Sequence, residues 1–173
     1  LKIVFVGRMG AGKSTAIRQV SSITPVNTDV KNLSGIESSK AETTVGIDYG
    51  RLQLENDCWV NLFGVPGQER FRSLWGVVSR GADGIVLLVN NSSAQPIDDC
   101  KEYLEYYSKW AGDGAIVVGI THYDQSDLPH VGHYMQTVQD CGLKVPILPV
   151  DVREQTQVVK LIKALIVQLE ALQ

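Results

Sequence analysis

The chain opens on a short apolar run, LKIVFVG, in which β-favouring residues follow one another until a glycine stops them. The next segment, KSTAIRQVSS, places Ala16, Ile17 and Val20 on one side of a helix. Residues 21 to 43 are polar and without period, and read as a long loop. Two strand-like runs, VGIDYGRLQLE and CWVNLF, flank Asn56 and Asp57, the pattern of a tight hairpin. ERFRSLWGVVSRGA reads as a loop or short helix. GIVLLVN and AIVVGIT are continuous apolar runs, as strands covered on both faces of a parallel sheet must be. Between them Ile97–Trp110 carries a helical period. VGHYMQTVQDC predicts a shorter helix, VPILPV a last strand, and QVVKLIKALIVQLEAL a strongly periodic closing helix. Strands alternating with helices predict a doubly wound α/β sheet with one early antiparallel hairpin. No repeat, low-complexity tract or linker interrupts the pattern, so residues 1–173 are expected to form one domain.

Composition narrows the function class. At 44% hydrophobic and 20% charged residues, the 173-residue chain has the make-up of an ordinary globular domain. Its net charge of −3 comes from interspersed acids and bases, which argues against nucleic acid as the main partner. The longest apolar run, around Gly84–Val89, is strand-sized, far short of the roughly 20 residues that span a bilayer, so no transmembrane segment is expected. Cys58, Cys100 and Cys141 show no metal or redox spacing and read as reduced thiols of a cytoplasmic protein. The chain opens on Leu1 rather than methionine, which leaves room for an N-terminal extension, and LEALQ at its end has no cysteine to prenylate.

Chemistry enters at Gly7-Arg8-Met9-Gly10-Ala11-Gly12-Lys13-Ser14, which fits GxxxxGK[ST] at every fixed position between an expected strand and an expected helix. Glycines let successive backbone N–H groups turn inward as an anion nest, and the helix N-terminus adds partial positive charge. Lys13 suits the β- and γ-phosphates, Thr15 lies in the first helical turn, and Ser14 offers a hydroxyl to Mg²⁺. Met9 fills the third loop position with a long side chain, which predicts slow intrinsic hydrolysis.

With that loop in place, ETTVGIDYG, GVPGQERFRSLW and THYD together resemble the two switches and the base-reading motif of a Ras-like small GTPase over the whole chain. The VPGQ variant with TTVGIDYG most resembles the MglA-type prokaryotic small GTPases. The resemblance implies a three-layer P-loop NTPase fold: a six-stranded, mostly parallel sheet with one antiparallel hairpin strand and helices on both faces. It implies GTP and GDP as ligands, Mg²⁺ as cofactor and a roadblock-type regulatory protein as partner. A cytoplasmic protein recruited to a membrane or cell pole through a partner is the corresponding localisation. By position, Thr44 is the Mg²⁺-binding threonine, Gly67 gives its N–H to the γ-phosphate, and Gln68 orients the attacking water.

Three departures bear on the chemistry. Gly64 stands where the family has the aspartate of DxxGQE. A turn centred between Asn56 and Asp57 would set Tyr49 opposite Gly64 and Asp48 opposite Val65, leaving Asp48 beside the vacated place; Ser14, Thr44 and Asp48 are then the expected metal set. Thr121-His122-Tyr123-Asp124 replaces NKxD: Asp124 can accept from the guanine N1–H and N2–H₂, Thr121 can do part of the usual asparagine's bonding, and His122 can lie on the base. Val152 falls where the family's SAK loop turns a backbone N–H to the guanine O6. Thr43 precedes Thr44 where some relatives have an arginine in the first switch, so Arg8, Arg70 and Arg72 are the sequence-near candidates for a catalytic arginine.

Two other patterns read as structural. His130 and His133 form an HxxH without a third ligand. Tyr103, Tyr106, Tyr107 and Trp110 form a core-facing helical stripe. The expected function is a slow GTP-hydrolysing switch; the competing one is a pseudo-GTPase scaffold that binds nucleotide with little turnover. A small-molecule kinase would need an arginine-rich lid, which the sequence lacks.

Overall fold

The computed structural model describes residues 1–30, 45–54, 58–111, 115–125 and 129–171. Its strands are β1 (Lys2–Val6), β2 (Val26–Val30), β3 (Val45–Gln53), β4 (Trp59–Gly64), β5 (Gly84–Asn90), β6 (Ile116–Thr121) and β7 (Ile147–Pro149). Its helices are α1 (Lys13–Val20), α2 (Arg72–Ser79), α3 (Pro96–Ala111), α4 (Val131–Asp140) and α5 (Gln155–Ala171). One sheet takes the order β2-β3-β4-β1-β5-β6-β7. β3 pairs antiparallel with β2 and β4, and every other pair is parallel, so β3 alone runs against the rest.

The alternation of β1 divides the core. Ile3 and Phe5 point to the α1 and α5 side, where they meet Ile17, Val20, Leu62, Leu161 and Leu165. Val4 and Val6 point to the other side, against Trp75, Tyr103, Leu104, Tyr107, Tyr134 and Val138 from α2, α3 and α4. Each such side chain fully removed from water contributes about 1.5–3 kcal/mol. The stripe on α3 faces inward as its spacing predicts: Tyr103 and Tyr107 are buried, and Trp75 lies 4.6 Å from the Tyr103 ring. The side chain of Trp110 lies outside the described residues.

Two expectations need correction. β2 forms inside the segment read as a loop, so the sheet has one strand more than expected. VNTDV has no continuous apolar run to announce it; pairing along β3, from Val26 opposite Tyr49 to Val30 opposite Val45, makes it a strand. The second correction is one of register. Across β3 and β4, Asp48 faces Gly64 and Tyr49 faces Phe63, one residue from the expected pairing. Burial sets this register. Gly50 opposite Leu62 and Leu52 opposite Val60 put the buried positions of both strands on one face, and a slip would set Leu52 against Asn61. Asn56 and Asp57 lie outside the described residues.

Candidate functional site

The carboxyl ends of β1, β4 and β6 open onto a cavity of about 970 Å³. That is the edge of a doubly wound sheet at which such folds bind ligands. At one end are Met9, Gly10, Gly12, Lys13, Ser14 and Thr15, with Asp48, Gly64, Gly67, Gln68, Arg70 and Phe71 beside them. At the other are Thr121, His122, Tyr123, Asp124, Asp151, Val152, Arg153 and Gln157. The site residues expected from β1–α1, from the segment after β4 and from the loop after β6 therefore share one space. Gly7 and Ala11 support it from behind: Gly7 gives its carbonyl to Lys13, and Ala11 is buried in the α1–α5 core. Thr44 lies outside the described residues.

The loop after β1 is shaped by its small residues. Gly12 sits at φ 93°, the left-handed region where glycine is favoured, and a Cβ there would lie 2.7 Å from Val152 Cγ2. Lys13 is held almost out of water, at 8% exposure, with Nζ donating to the carbonyls of Gly7 and Arg8 at 2.8 and 2.9 Å. Burial lowers its pKa from 10.5 to about 8, and the negative charge of Asp48 opposes that shift. A desolvated ammonium is a strong attractor for a polyanion.

Ser14 Oγ donates to Asp48 Oδ2 at 2.5 Å. A Cβ added at Gly64 would lie 3.1 Å from both Asp48 Cβ and Asp48 Oδ2. The space beside the glycine is thus closed by Asp48 from the facing strand together with Ile17 Cδ1, at 3.0 Å from such a Cβ. A hydroxyl and a carboxylate side by side are hard oxygen donors of the kind Mg²⁺ takes, so the donor set fits that ion.

Gly67 packs onto the loop after β1 closely enough that a Cβ there would meet Gly7 O at 2.3 Å. Two aromatic side chains pin the segment: Trp75 Nε1 donates to Pro66 O at 3.0 Å and Tyr103 Oη to Gly67 O at 3.4 Å. The Gln68 amide follows immediately. Its Oε1 accepts from Arg70 Nε at 2.7 Å and its Nε2 donates to Met9 Sδ at 3.4 Å.

At the far end His122 takes φ 54°, an unusual conformation for a residue with a side chain, and its Nδ1 lies 3.1 Å from Thr121 Oγ1. The Thr121 hydroxyl, itself buried, donates to Val89 O, so it ties β6 to β5. Asp124 lies in a single 3₁₀ turn with its side chain exposed to the cavity. Arg153 forks onto Asp151, at 2.6 Å for the shorter contact, and its hydrogen bonds hold the Asp151 pKa down at about 2.

A family model described as "Ras of Complex, Roc, domain of DAPkinase" matches residues 2–124, the part of the chain that builds the loop after β1, Gln68 and Asp124. The chain belongs to the Roc family. It is also similar to Ras-related protein RabC of Dictyostelium discoideum, 25% identical over 122 residues, or 68% of this chain and 56% of that protein. ADP-ribosylation factor-related protein 1 of Rattus norvegicus is 28% identical over 145 residues, covering 83% of this chain and 69% of the relative. GTP-binding protein ypt1 of Schizosaccharomyces pombe is 23% identical over 162 residues, 91% and 73% respectively. The match to RabC thus spans little more than half of that protein's length.

Sequence reading missed several residues of this Roc-family site. Asp151, Arg153 and Gln157 line the cavity beside the loop after β6, and Phe71 lines it beside Gln68, next to Arg70, which the sequence had offered only as a candidate arginine. Asp151 and Arg153 flank Val152 in sequence, a signal that position alone carried; nothing in the sequence marks Gln157, whose Oε1 accepts from the Asp151 N–H at 2.9 Å. His130 and His133 build the N-terminal cap of α4, with the His130 N–H donating to His133 Nδ1 at 3.1 Å. Among the described residues no group of three His, Cys, Asp or Glu side chains is disposed around a metal position. Cys100 is buried and its thiol is pushed up to about 12 by desolvation, while Cys58 is exposed. Among the described residues no helix is long and apolar enough to cross a membrane.

Proposed function

We propose that this Roc-family domain is a GTP-binding molecular switch that hydrolyses GTP to GDP and phosphate. One observation carries the reading: a single cavity joins Lys13 and Ser14, the Gln68 amide and Asp124. Those residues have the chemistry to hold a triphosphate, orient a water and accept from a guanine edge. Lys13 and the backbone N–H groups of Gly10, Gly12 and Thr15 bind the phosphates, Gly67 senses the last one, and Gln68 orients the water. Asp124 reads the base, His122 and Val152 border it, and Thr121 braces the turn that carries them.

Mg²⁺ would be held by Ser14 and Thr44 with Asp48 in support, and when bound it would neutralise charge on the phosphates. The Ser14–Asp48 hydrogen bond and the glycine at 64 support Asp48 as the carboxylate that stands in for the absent aspartate. The Met9 thioether against the Gln68 amide supports slow hydrolysis by the unaided protein. The VPGQ segment supports an MglA-type affiliation, and with it a prokaryotic source, a roadblock-type regulator and partner-dependent recruitment to a membrane or cell pole.

Calorimetric titration with GTP, GDP and ATP in Mg²⁺, followed by phosphate release with and without a roadblock-type protein, tests the reading. Tight GTP binding with slow, Gln68-dependent release is expected. Preference for ATP would overturn it. Tight binding without release under either condition would instead favour the scaffold reading, for which the exchange of NK for Thr121-His122 speaks.

A further inference from the structure

Three arginines lie in the loop after β1 and in the turn into α2; of these Arg70 lines the cavity, and they are engaged differently. Arg8 donates to Asp99 Oδ1 at 2.9 Å and to Glu102 Oε2 at 2.6 Å, both on α3. Arg72 donates to Glu102 Oε1 at 2.9 Å and lies 3.6 Å from Glu69 Oε1. Arg70 has no carboxylate partner among the described residues; its guanidinium lies 4.6 Å from the Phe71 ring centroid and its Nε donates to Gln68 Oε1. At the other end of the same amide, Nε2 donates to Met9 Sδ. Both polar atoms of the Gln68 carboxamide are therefore bonded to side chains of the chain itself.

That matters because an amide orients an attacking water by accepting its proton at the oxygen while the NH₂ donates onward. Here the oxygen already accepts from a cation, and hydrogen bonds from charged donors are the stronger kind. The Met9 thioether is only a weak acceptor, so it steers the NH₂ more than it holds it.

We propose that Arg70, with Met9, forms a catch that holds Gln68 idle and so restrains hydrolysis, making Arg70 a positioning residue rather than the donor of a charge to the phosphate. The proposal rests on Gln68 being the water-orienting residue. To work, Gln68 must exchange the Arg70 bond for one to water. Arg70 and Gln68 are two residues apart on the strand-to-helix turn, so the exchange needs side-chain rotation and leaves the backbone in place.

The test is single-turnover GTP hydrolysis with Mg²⁺ by the full chain, with nucleotide affinity measured separately by fluorescence. With nucleotide saturating, Arg70→Ala should hydrolyse about three- to tenfold faster, the scale of one solvent-exposed charged hydrogen bond. Arg70→Lys, which keeps a cationic donor, should restore most of the restraint, and Met9→Ala should be faster than the parent by a smaller factor. In a Gln68→Ala background both accelerations should vanish. Without nucleotide, the Gln68 side-chain NH₂ resonances should shift in Arg70→Ala.

Slower or unaltered hydrolysis in Arg70→Ala, acceleration that persists without Gln68, or unmoved Gln68 resonances would each overturn the catch. Failure of GTP to bind the unsubstituted chain, or hydrolysis indifferent to Gln68→Ala, would instead remove the functional reading beneath it.

Discussion

Asp48 and Gly64 stand opposite each other across β3 and β4, and the carboxylate of the one fills the space a side chain of the other would need. On the proposed function an acid at either position could support the metal, but two acids there would crowd and repel. Asp48→Ala should therefore weaken Mg²⁺-dependent nucleotide affinity about 10- to 100-fold, the usual cost of losing a supporting carboxylate. Gly64→Asp alone should destabilise the fold by about 1–3 kcal/mol through overpacking. Combined with Asp48→Ala it should recover part of both losses, with a coupling of about 1 kcal/mol or more. Magnesium titrations and urea melts of the four proteins check this. Additive losses would mean that the two positions do not share a role.

On the proposed function, Asp124 is the acid that would tell guanine from adenine, whose edge offers no matching pair of donors. Asp124→Asn keeps the size but turns one acceptor into a donor facing the guanine N–H groups. GTP affinity should fall about 10- to 100-fold, the scale of one charged hydrogen bond lost. ATP affinity should stay as it was, and displacement titrations with both nucleotides read the difference. An equal loss for both would mean that Asp124 acts on the loop rather than on the base.

How far the sequence carried these conclusions differs from place to place. The apolar runs of β5 and β6 and the period of α5 report burial directly, so those elements were legible. Val26–Val30 was not, because an edge strand of mixed residues is specified by its partner and not by its own pattern. Gly7–Ser14 announced the loop after β1 that lines one end of the cavity, since only a few residue types build such a turn. The pairing of Asp48 with Gly64 was approached and missed by one residue, because register depends on which face of the hairpin is buried. The Arg70–Gln68 bond was invisible: three arginines near one motif look alike until their carboxylates are located.

Glu102 joins two of those arginines. It accepts from Arg8 on the phosphate loop and from Arg72 at the start of α2, and its side chain is only 26% exposed. Glu102→Gln keeps the shape and removes the charge, leaving Arg72 with Glu69 and Arg8 with Asp99. Stability should fall by about 1 kcal/mol, the scale of a partly exposed ion pair within a network. Raising the salt concentration should shrink the difference. Denaturation at low and high ionic strength measures both, and a difference indifferent to salt would point to packing of the Glu102 stem instead.

Lys13 sets the response to pH. Its ordinary pKa of 10.5 falls to about 8 in the folded chain, because burial costs the charged form more than Asp48 returns. Without nucleotide, the unfolded chain binds the Lys13 proton more tightly than the native one across that interval. Stability contributed by this group therefore rises with pH from about 8 to 10.5 and is absent below. Nucleotide bound as proposed would reverse the sign. Phosphates held beside Nζ would favour the ammonium and raise its pKa again, so binding would take up a proton wherever the free protein has lost it. GTP affinity should be flat below about pH 8 on this account and decline above it, approaching tenfold per unit. Calorimetry near pH 8.5 in buffers of different ionisation enthalpy should register net proton uptake of roughly half a proton or more per GTP. Affinity unchanged up to about pH 9, with no proton uptake, would mean that the phosphates do not meet the Lys13 ammonium.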